Sequence, residues 1–212
     1  MDYENSREEY SKYDLKISQL ADNPLVQLEK WVKEAVEAGQ TEPFSMVLST
    51  VNKYDAPRSR VVLMKSLDKN GITFFTNYYS DKGVELQNNS SAALLFFWPL
   101  LERQVRIEAN VEKLPVKESN QYFYSRPFES QVGAVVSPQS RIISSVESLE
   151  IDYKREVERL RKKGVSRPNN WGGYLTIPFY FEFWQGRPGR LHRRYAYSLD
   201  NKKEWIINTL AP

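Results

Sequence analysis

His192 is the only histidine in this 212-residue chain, and it shares its neighbourhood with four arginines, at positions 187, 190, 193 and 194. A strand-like aromatic run, Tyr180 to Trp184, leads into this stretch. Gly186, Pro188 and Gly189 break it, and a second strand-like run, Arg194 to Tyr197, leads out. The pattern predicts a hairpin that lifts several cations and one imidazole to the edge of a sheet. Such an edge suits an anionic, planar ligand: a guanidinium pairs with phosphate or carboxylate, and its flat face stacks on rings. A solvated basic hairpin is the competing reading of this stretch taken alone.

Three other places could hold an anion. Arg60-Val-Val-Leu-Met-Lys65 reads as a strand with a cation at each end. Alternation puts residues five apart on opposite faces, so Arg60 and Lys65 are expected to serve different groups. Ser80-Asp81-Lys82 opens a short helix, where free backbone N–H groups and a lysine favour negative charge; an ordinary cap is the alternative. Tyr122, Arg126 and Ser130 fall four apart, one face of a helix, and a phenol, a guanidinium and a hydroxyl together could clamp a phosphate. Pro127 must end or kink that helix, and plain surface polarity competes. No GxGxxG or GxxxxGK[ST] pattern occurs, so phosphate has to be held by side chains and helix ends. A Ser-His-Asp hydrolase is disfavoured: there is no GxSxG turn, and the arginines oppose an imidazolium at His192.

Composition bounds these options. Hydrophobic residues make up 41% and charged residues 27%, as in a globular protein. With no cysteine and one histidine, disulfides, thiol catalysis and a zinc centre are set aside. The net charge of +3 is mild and interleaved with Glu, notably over 147–163, which argues against a nucleic-acid partner. Met1-Asp-Tyr-Glu-Asn5 is acidic and carries no apolar leader, and the most apolar run, Ala92 to Leu101, is too short for a bilayer. A cytoplasmic location and no membrane contact are therefore expected.

The elements that must position these groups are legible from periodicity. Residues 2–20 are polar with scattered apolar positions and suggest a loose helix or a tail. Asn23 and Pro24 begin a packing helix with Leu25, Leu28, Val32, Ala35 and Val36 on one face, ended by Gly39. Strands are expected at 44–51, 60–65, 72–76, 92–98, 103–114, 173–185, 193–199 and 204–210. A hairpin turn falls at Asp68 to Gly71, and a short helix spans Asp81 to Asn88. Ser144 and Glu147 suggest a capping box for a long helix that Gly164 ends. The sum is a mainly antiparallel α+β sheet, curled into a barrel with helices packed outside. Residues 21–212 form one domain and 1–20 a preceding segment.

These pieces, in order, resemble the pyridoxine (pyridoxamine) 5′-phosphate oxidase family. The matching segments include Arg60 to Lys65, Leu101-Glu-Arg-Gln-Val105, Tyr122-Phe-Tyr-Ser-Arg-Pro127, Ser130-Gln-Val-Gly133, Ser137-Pro-Gln-Ser140, Trp171-Gly-Gly173, Glu182-Phe-Trp-Gln-Gly186 and Arg190-Leu-His192. The resemblance implies a split β-barrel that binds FMN and works as a homodimer with shared active sites. It implies FMN contacts at Arg60, Val61, Val62, Leu63, Met64, Lys65, Phe75, Thr76, Lys82, Gln104, Gln139, Ser140, Trp184 and Arg194. It implies a substrate phosphate held by Lys65, Tyr122, Arg126 and Ser130. Arg190, Leu191 and His192 would meet the substrate ring, with Arg190 and His192 catalytic, and Arg7, Glu8, Glu9 and Tyr10 would fold over as a lid. Asp81 departs from the pattern, because a basic residue often precedes the lysine. Arg193 stands where an acid is common, and Phe75 where some members have tyrosine.

The implied reaction is oxidation of pyridoxine or pyridoxamine 5′-phosphate to pyridoxal 5′-phosphate, with hydride passing from C4′ to flavin N5 and oxygen leaving as peroxide. His192 would either bind the substrate oxygen or accept a proton. A flavin reductase of the same fold would not need the Tyr122, Arg126 and Ser130 set. A non-catalytic carrier of FMN or pyridoxal phosphate would not release peroxide.

Overall fold

The computed structural model describes residues 9–212. In chain order the elements are α1 (Pro24–Glu37), β1 (Ser45–Val51), β2 (Pro57–Leu63), β3 (Ser66–Asp68), β4 (Gly71–Asn77), α2 (Asp81–Asn88), β5 (Ser91–Trp98), β6 (Arg103–Lys113), α3 (Val116–Ser125), α4 (Phe128–Val136), α5 (Val146–Lys163), β7 (Trp171–Gln185), β8 (Arg193–Leu199) and β9 (Trp205–Leu210). Every paired ladder is antiparallel, and the strand order is β2-β1-β5-β6-β7-β4-β3, with β8 and β9 branching from β7. Among the described residues no ladder joins β2 to β3, so the curled sheet stays open along one seam. The expected α+β split barrel with outer helices is the fold observed. No helix of the described residues is long and apolar enough to cross a membrane.

β6 shows why the sheet buries one face. Val105, Ile107, Ala109 and Val111 are buried, while Arg106, Glu108, Asn110 and Glu112 between them are exposed. α1 starts where Asn23 accepts from the Leu25 N–H at 2.9 Å and Pro24 fixes the first turn. Leu28, Trp31, Val32 and Ala35 turn inward, and Trp31 meets Phe183 edge-on at 5.1 Å. Trp31, missing from the expected apolar face, is its largest buried member, whereas Val36 is exposed.

β7 organises the rest. On one side β6 follows it from Tyr174 to Gln185; on the other β4 pairs it only up to Thr176, and β8 takes over from Tyr180. Pro178 falls in the gap between them, where its missing N–H costs no ladder bond, and the β6 register shifts there by one residue.

Four expectations need correction. Residues 9–20 form no helix beyond a 3-10 turn at Ile17–Gln19. The segment's backbone is instead satisfied by the barrel: Tyr195 donates to the Leu15 carbonyl at 3.2 Å, Tyr197 to that of Ala21 at 2.8 Å, and the Lys12 N–H donates to Glu102 at 3.1 Å. The strand expected at 60–65 is β2, which begins at Pro57 and stops at Leu63, and the unexpected β3 follows. Pro127 ends the helix that carries Tyr122, as one of its two expected effects, and so overturns the reading of Tyr122, Arg126 and Ser130 as one helical face. Arg126 is extended (φ −76°, ψ 152°), as a residue before proline prefers, so Tyr122 and Ser130 sit on separate helices. The long helix is capped by Ser145, which accepts from the Ser148 N–H at 3.0 Å, not by Ser144.

Candidate active site

β2 begins the strand path and β4 stands next to its other end, yet residues of both line one cavity of about 840 Å³. The sheet curls until its two ends face each other, and the open seam becomes a cleft. Arg60, Val61, Val62, Leu63 and Lys65 enter from β2 and its exit, and Phe75, Thr76 and Asn77 from β4. Lys82 comes from α2; Tyr122, Arg126 and Ser130 from the α3–α4 corner; Gln139 from the following loop; and Trp171 from β7. Because β2 ends at Leu63, the alternation that would have parted Arg60 from Lys65 no longer applies, and both reach the same cleft.

One set of polar groups gathers at α2. Ser80 caps the helix, and Lys82, although buried, has only hydroxyl partners among the described residues, Thr76 and Ser80, each at 3.4 Å. Burial, and then the neighbouring Arg60, pushes its ammonium below the ordinary lysine value. Gln139 accepts from the Thr76 hydroxyl at 3.1 Å. Arg60 is held from behind, donating to the buried carboxylate of Glu85 at 3.0 Å. Thr50 donates to the same carboxylate. Glu85 was not anticipated from the sequence; a lone Glu on a short helix carries no signal of the strand it will meet.

The second set surrounds Arg126. Its guanidinium lies over the Trp171 ring at 4.6 Å, and Phe75 stacks on Tyr122 at 3.8 Å. Arg126 Nη1 is buried and has no hydrogen-bond partner among the described residues. An orphaned cationic donor in a cleft is costly unless an anion meets it. Burial accordingly pushes the Arg126 guanidinium below its usual range. Both sets fit phosphate, and the aromatic wall between Phe75 and Trp171 fits a flat ring.

The remaining expected residues gather elsewhere. Gln104 lies opposite Trp184 across the β6–β7 ladder, and Trp184 lies opposite Arg194 across β7–β8. His192 sits 4.7 Å from Trp184, and Tyr10 packs edge-on against both, at 5.6 Å from Trp184 and 6.0 Å from His192. Gly186 allows this: a Cβ there would fall 2.7 Å from the Tyr10 side chain. Arg190 and Leu191 are exposed on the hairpin, Glu9 is exposed before it, and Met64 is buried in the core. Ser140 follows Gln139 with φ 66° and is exposed. Arg7 and Glu8 lie outside the described residues. The arginine cluster is less bare than its sequence suggests, since Arg187 and Arg193 share Asp14 at 3.3 and 3.1 Å and Arg194 pairs with buried Glu182 at 2.9 Å. Of the four, only Arg190 lacks a carboxylate partner among the described residues.

His192 accepts the Arg187 N–H at Nδ1, at 3.1 Å, which assigns the ring proton to Nε2. The neutral ring is then a donor at Nε2. Partial burial, then Arg190, lowers its proton affinity. We expect an NMR titration of this imidazole to show a midpoint below 6.5, moving upward in Arg190→Ala. A folded-state value below the unfolded one means this group's stabilisation is complete above pH 6.5 and is lost as pH falls through the folded value. A midpoint at or above 6.5 would contradict the assignment.

A curled antiparallel sheet with a cation-lined cleft in its seam defines a split β-barrel protein suited to phosphorylated rings. The solved structure of PhzG from Burkholderia lata, in complex with tetrahydrophenazine-1-carboxylic acid, superposes with a TM-score of 0.88 at 26% identity, covering 97% of this chain and 100% of that one. An FMN-binding, pyridoxamine 5′-phosphate oxidase-related protein from Nostoc punctiforme shares the fold with a TM-score of 0.66 at 14% identity. Residues 32–158 match the family model described as pyridoxamine 5′-phosphate oxidase, and residues 171–212 match the pyridoxine 5′-phosphate oxidase C-terminal dimerisation region. The chain is 46% identical to the pyridoxine/pyridoxamine 5′-phosphate oxidase of Mannheimia succiniciproducens and 44% identical to that of Haemophilus influenzae, each over the full length of both chains. It belongs to the pyridoxamine 5′-phosphate oxidase family.

Proposed function

We propose that this chain oxidises pyridoxine or pyridoxamine 5′-phosphate to pyridoxal 5′-phosphate, with FMN as cofactor and dioxygen as final acceptor. The observation that carries this reading is the pair of cationic sets in one cleft, above all the buried Arg126 Nη1, which has no hydrogen-bond partner among the described residues. Lys82 and Arg60, with Thr76 and Gln139, would take the cofactor phosphate; Lys65, Tyr122, Arg126 and Ser130 would take the substrate phosphate. When bound, the flavin supplies the acceptor for two electrons and a proton from the substrate C4′ carbon. The chain's own groups fix two anions at set points, which holds the rings together and turns an encounter into a near-unimolecular step. Arg190 would lie over the substrate ring, and His192, as an Nε2–H donor, would bind the C4′ oxygen or nitrogen rather than remove its proton.

A second copy of the chain is part of this reading. On β7, Gly173 lies opposite Phe75 in the cleft, while Trp184 lies opposite Gln104. At about 3.3 Å per residue these points stand roughly 35 Å apart along the strand. The two groups serve one ligand if they come from different subunits, with the Trp184–His192 cluster of one copy facing the cleft of the other. The match of residues 171–212 to a dimerisation region supports this.

The test is to load the purified protein with FMN, follow flavin bleaching by pyridoxamine 5′-phosphate without oxygen, and then measure peroxide upon readmitting oxygen. Bleaching followed by stoichiometric peroxide is expected. Flavin binding without bleaching would leave a carrier, and no flavin binding would end the proposal.

A further inference from the structure

Arg141, which belongs to neither cationic set, connects the cleft to the helix beside it. The loop from Ser137 to Arg141 brings Ser137 and Gln139 into the cleft wall, where Gln139 Oε1 accepts from the Thr76 hydroxyl at 3.1 Å and the Asn77 N–H at 3.3 Å. Arg141 departs the other way. Its guanidinium donates to the Tyr79 carbonyl and reaches Asp81 Oδ1 at 3.5 Å, while Arg58 donates to Asp81 Oδ2 at 3.2 Å.

Asp81 precedes Lys82 at the start of α2, where a carboxylate repels any phosphate that Lys82 attracts. Here the carboxylate lines a separate small pocket together with Arg58 and Arg141, not the cleft. Cations outnumber carboxylates around the start of α2, where Arg58, Arg60, Lys82 and Arg141 stand against Asp81 and Glu85. Arg141 is about half exposed, so its ion pair alone contributes little. Its leverage comes from fastening a loop whose other side forms cleft wall.

We propose that Arg141 is a positioning residue for the cofactor: bridged to Tyr79 and Asp81, it fastens the 137–141 loop to the start of α2, keeps Gln139 against the cleft, and with Arg58 holds the Asp81 carboxylate away from the anion. The inference rests on the reading of the cleft as the FMN site.

The test titrates the apoprotein with FMN, and separately with riboflavin, which has the ring but no phosphate, by quenching of flavin fluorescence. Arg141→Ala is expected to weaken FMN binding about threefold to tenfold. Riboflavin should shift less, and apoprotein melting should be unchanged. Arg141→Lys should recover part of the loss, since it keeps the charge without the planar fork. The loss on removing Arg141 should shrink in an Asp81→Ala background, where no carboxylate remains to be held. FMN binding by Arg141→Ala at the parent's affinity would overturn the proposal. So would an equal loss of both flavins with a lowered melting temperature. If the parent binds no FMN at all, the functional reading falls and this inference with it; parent binding without an Arg141 effect removes only the inference.

Discussion

Arg190→Ala is expected to turn over roughly a hundredfold more slowly than the parent while binding FMN as tightly. The residue sits at the tip of the β7–β8 connection with φ 60°, a left-handed conformation that a non-glycine residue holds only under local constraint. The constraint is visible: the Leu191 N–H donates to the Pro188 carbonyl at 3.2 Å, closing a 3-10 turn across Gly189. Its neighbours Arg187, Arg193 and Arg194 are paired with Asp14 or Glu182, so among the described residues Arg190 is the hairpin arginine without a carboxylate partner. Because it is assigned to the substrate ring and to neither cationic set, its removal should leave the apoprotein's flavin titration unmoved. Arg190→Lys should recover little, since an ammonium cannot stack as a planar guanidinium does. Turnover near the parent's would contradict the role.

Arg126→Met should separate function from stability. Loss of a charge-assisted phosphate contact worth about 1.5–3 kcal/mol raises KM roughly tenfold to a hundredfold, with kcat changed far less. The apoprotein, by contrast, should melt at or above the parent temperature. The substitution removes a buried, unpartnered Nη1 and keeps an unbranched chain over Trp171. An unchanged KM would exclude Arg126 from the substrate clamp, and a collapse in melting temperature would make it structural. Co-expression with Arg190→Ala extends the test. If each site draws on two copies, a mixed dimer keeps one intact site, and at substrate concentrations below the raised KM the mixture turns over faster than either variant alone.

Much of the fold was readable because its signals are local. Period-two burial in β6, the Asn23-Pro24 start of α1 and the Asp68–Gly71 hairpin each act within a few residues. The shortfalls were contacts between distant segments. Residues 9–20 lack a helical stripe, yet they are ordered against β8 by Tyr195 and Tyr197, which no local pattern announces. The spacing of Tyr122, Arg126 and Ser130 suggested one helical face; the cleft brings them together across a proline break instead. The cations, the Tyr122 and Ser130 hydroxyls and His192 were legible from residue type and spacing, the fuller candidate list followed from resemblance, and its division into a cleft group and a Trp184 group became visible only through the strand ladders. Arg58, Glu85 and Arg141 were missed because each is an ordinary surface charge until its partner is known.

β7 has a mechanical consequence. A single covalent strand carries cleft wall at Trp171 and the aromatic–imidazole cluster at Trp184, with one irregularity between them at Pro178. It therefore acts as a gauge rod. Adding or deleting one residue along it would invert every side chain beyond that point, and no loop intervenes to absorb the error. Tolerance to length change should be lowest here, and any drift in the rod's pitch would displace both groups together.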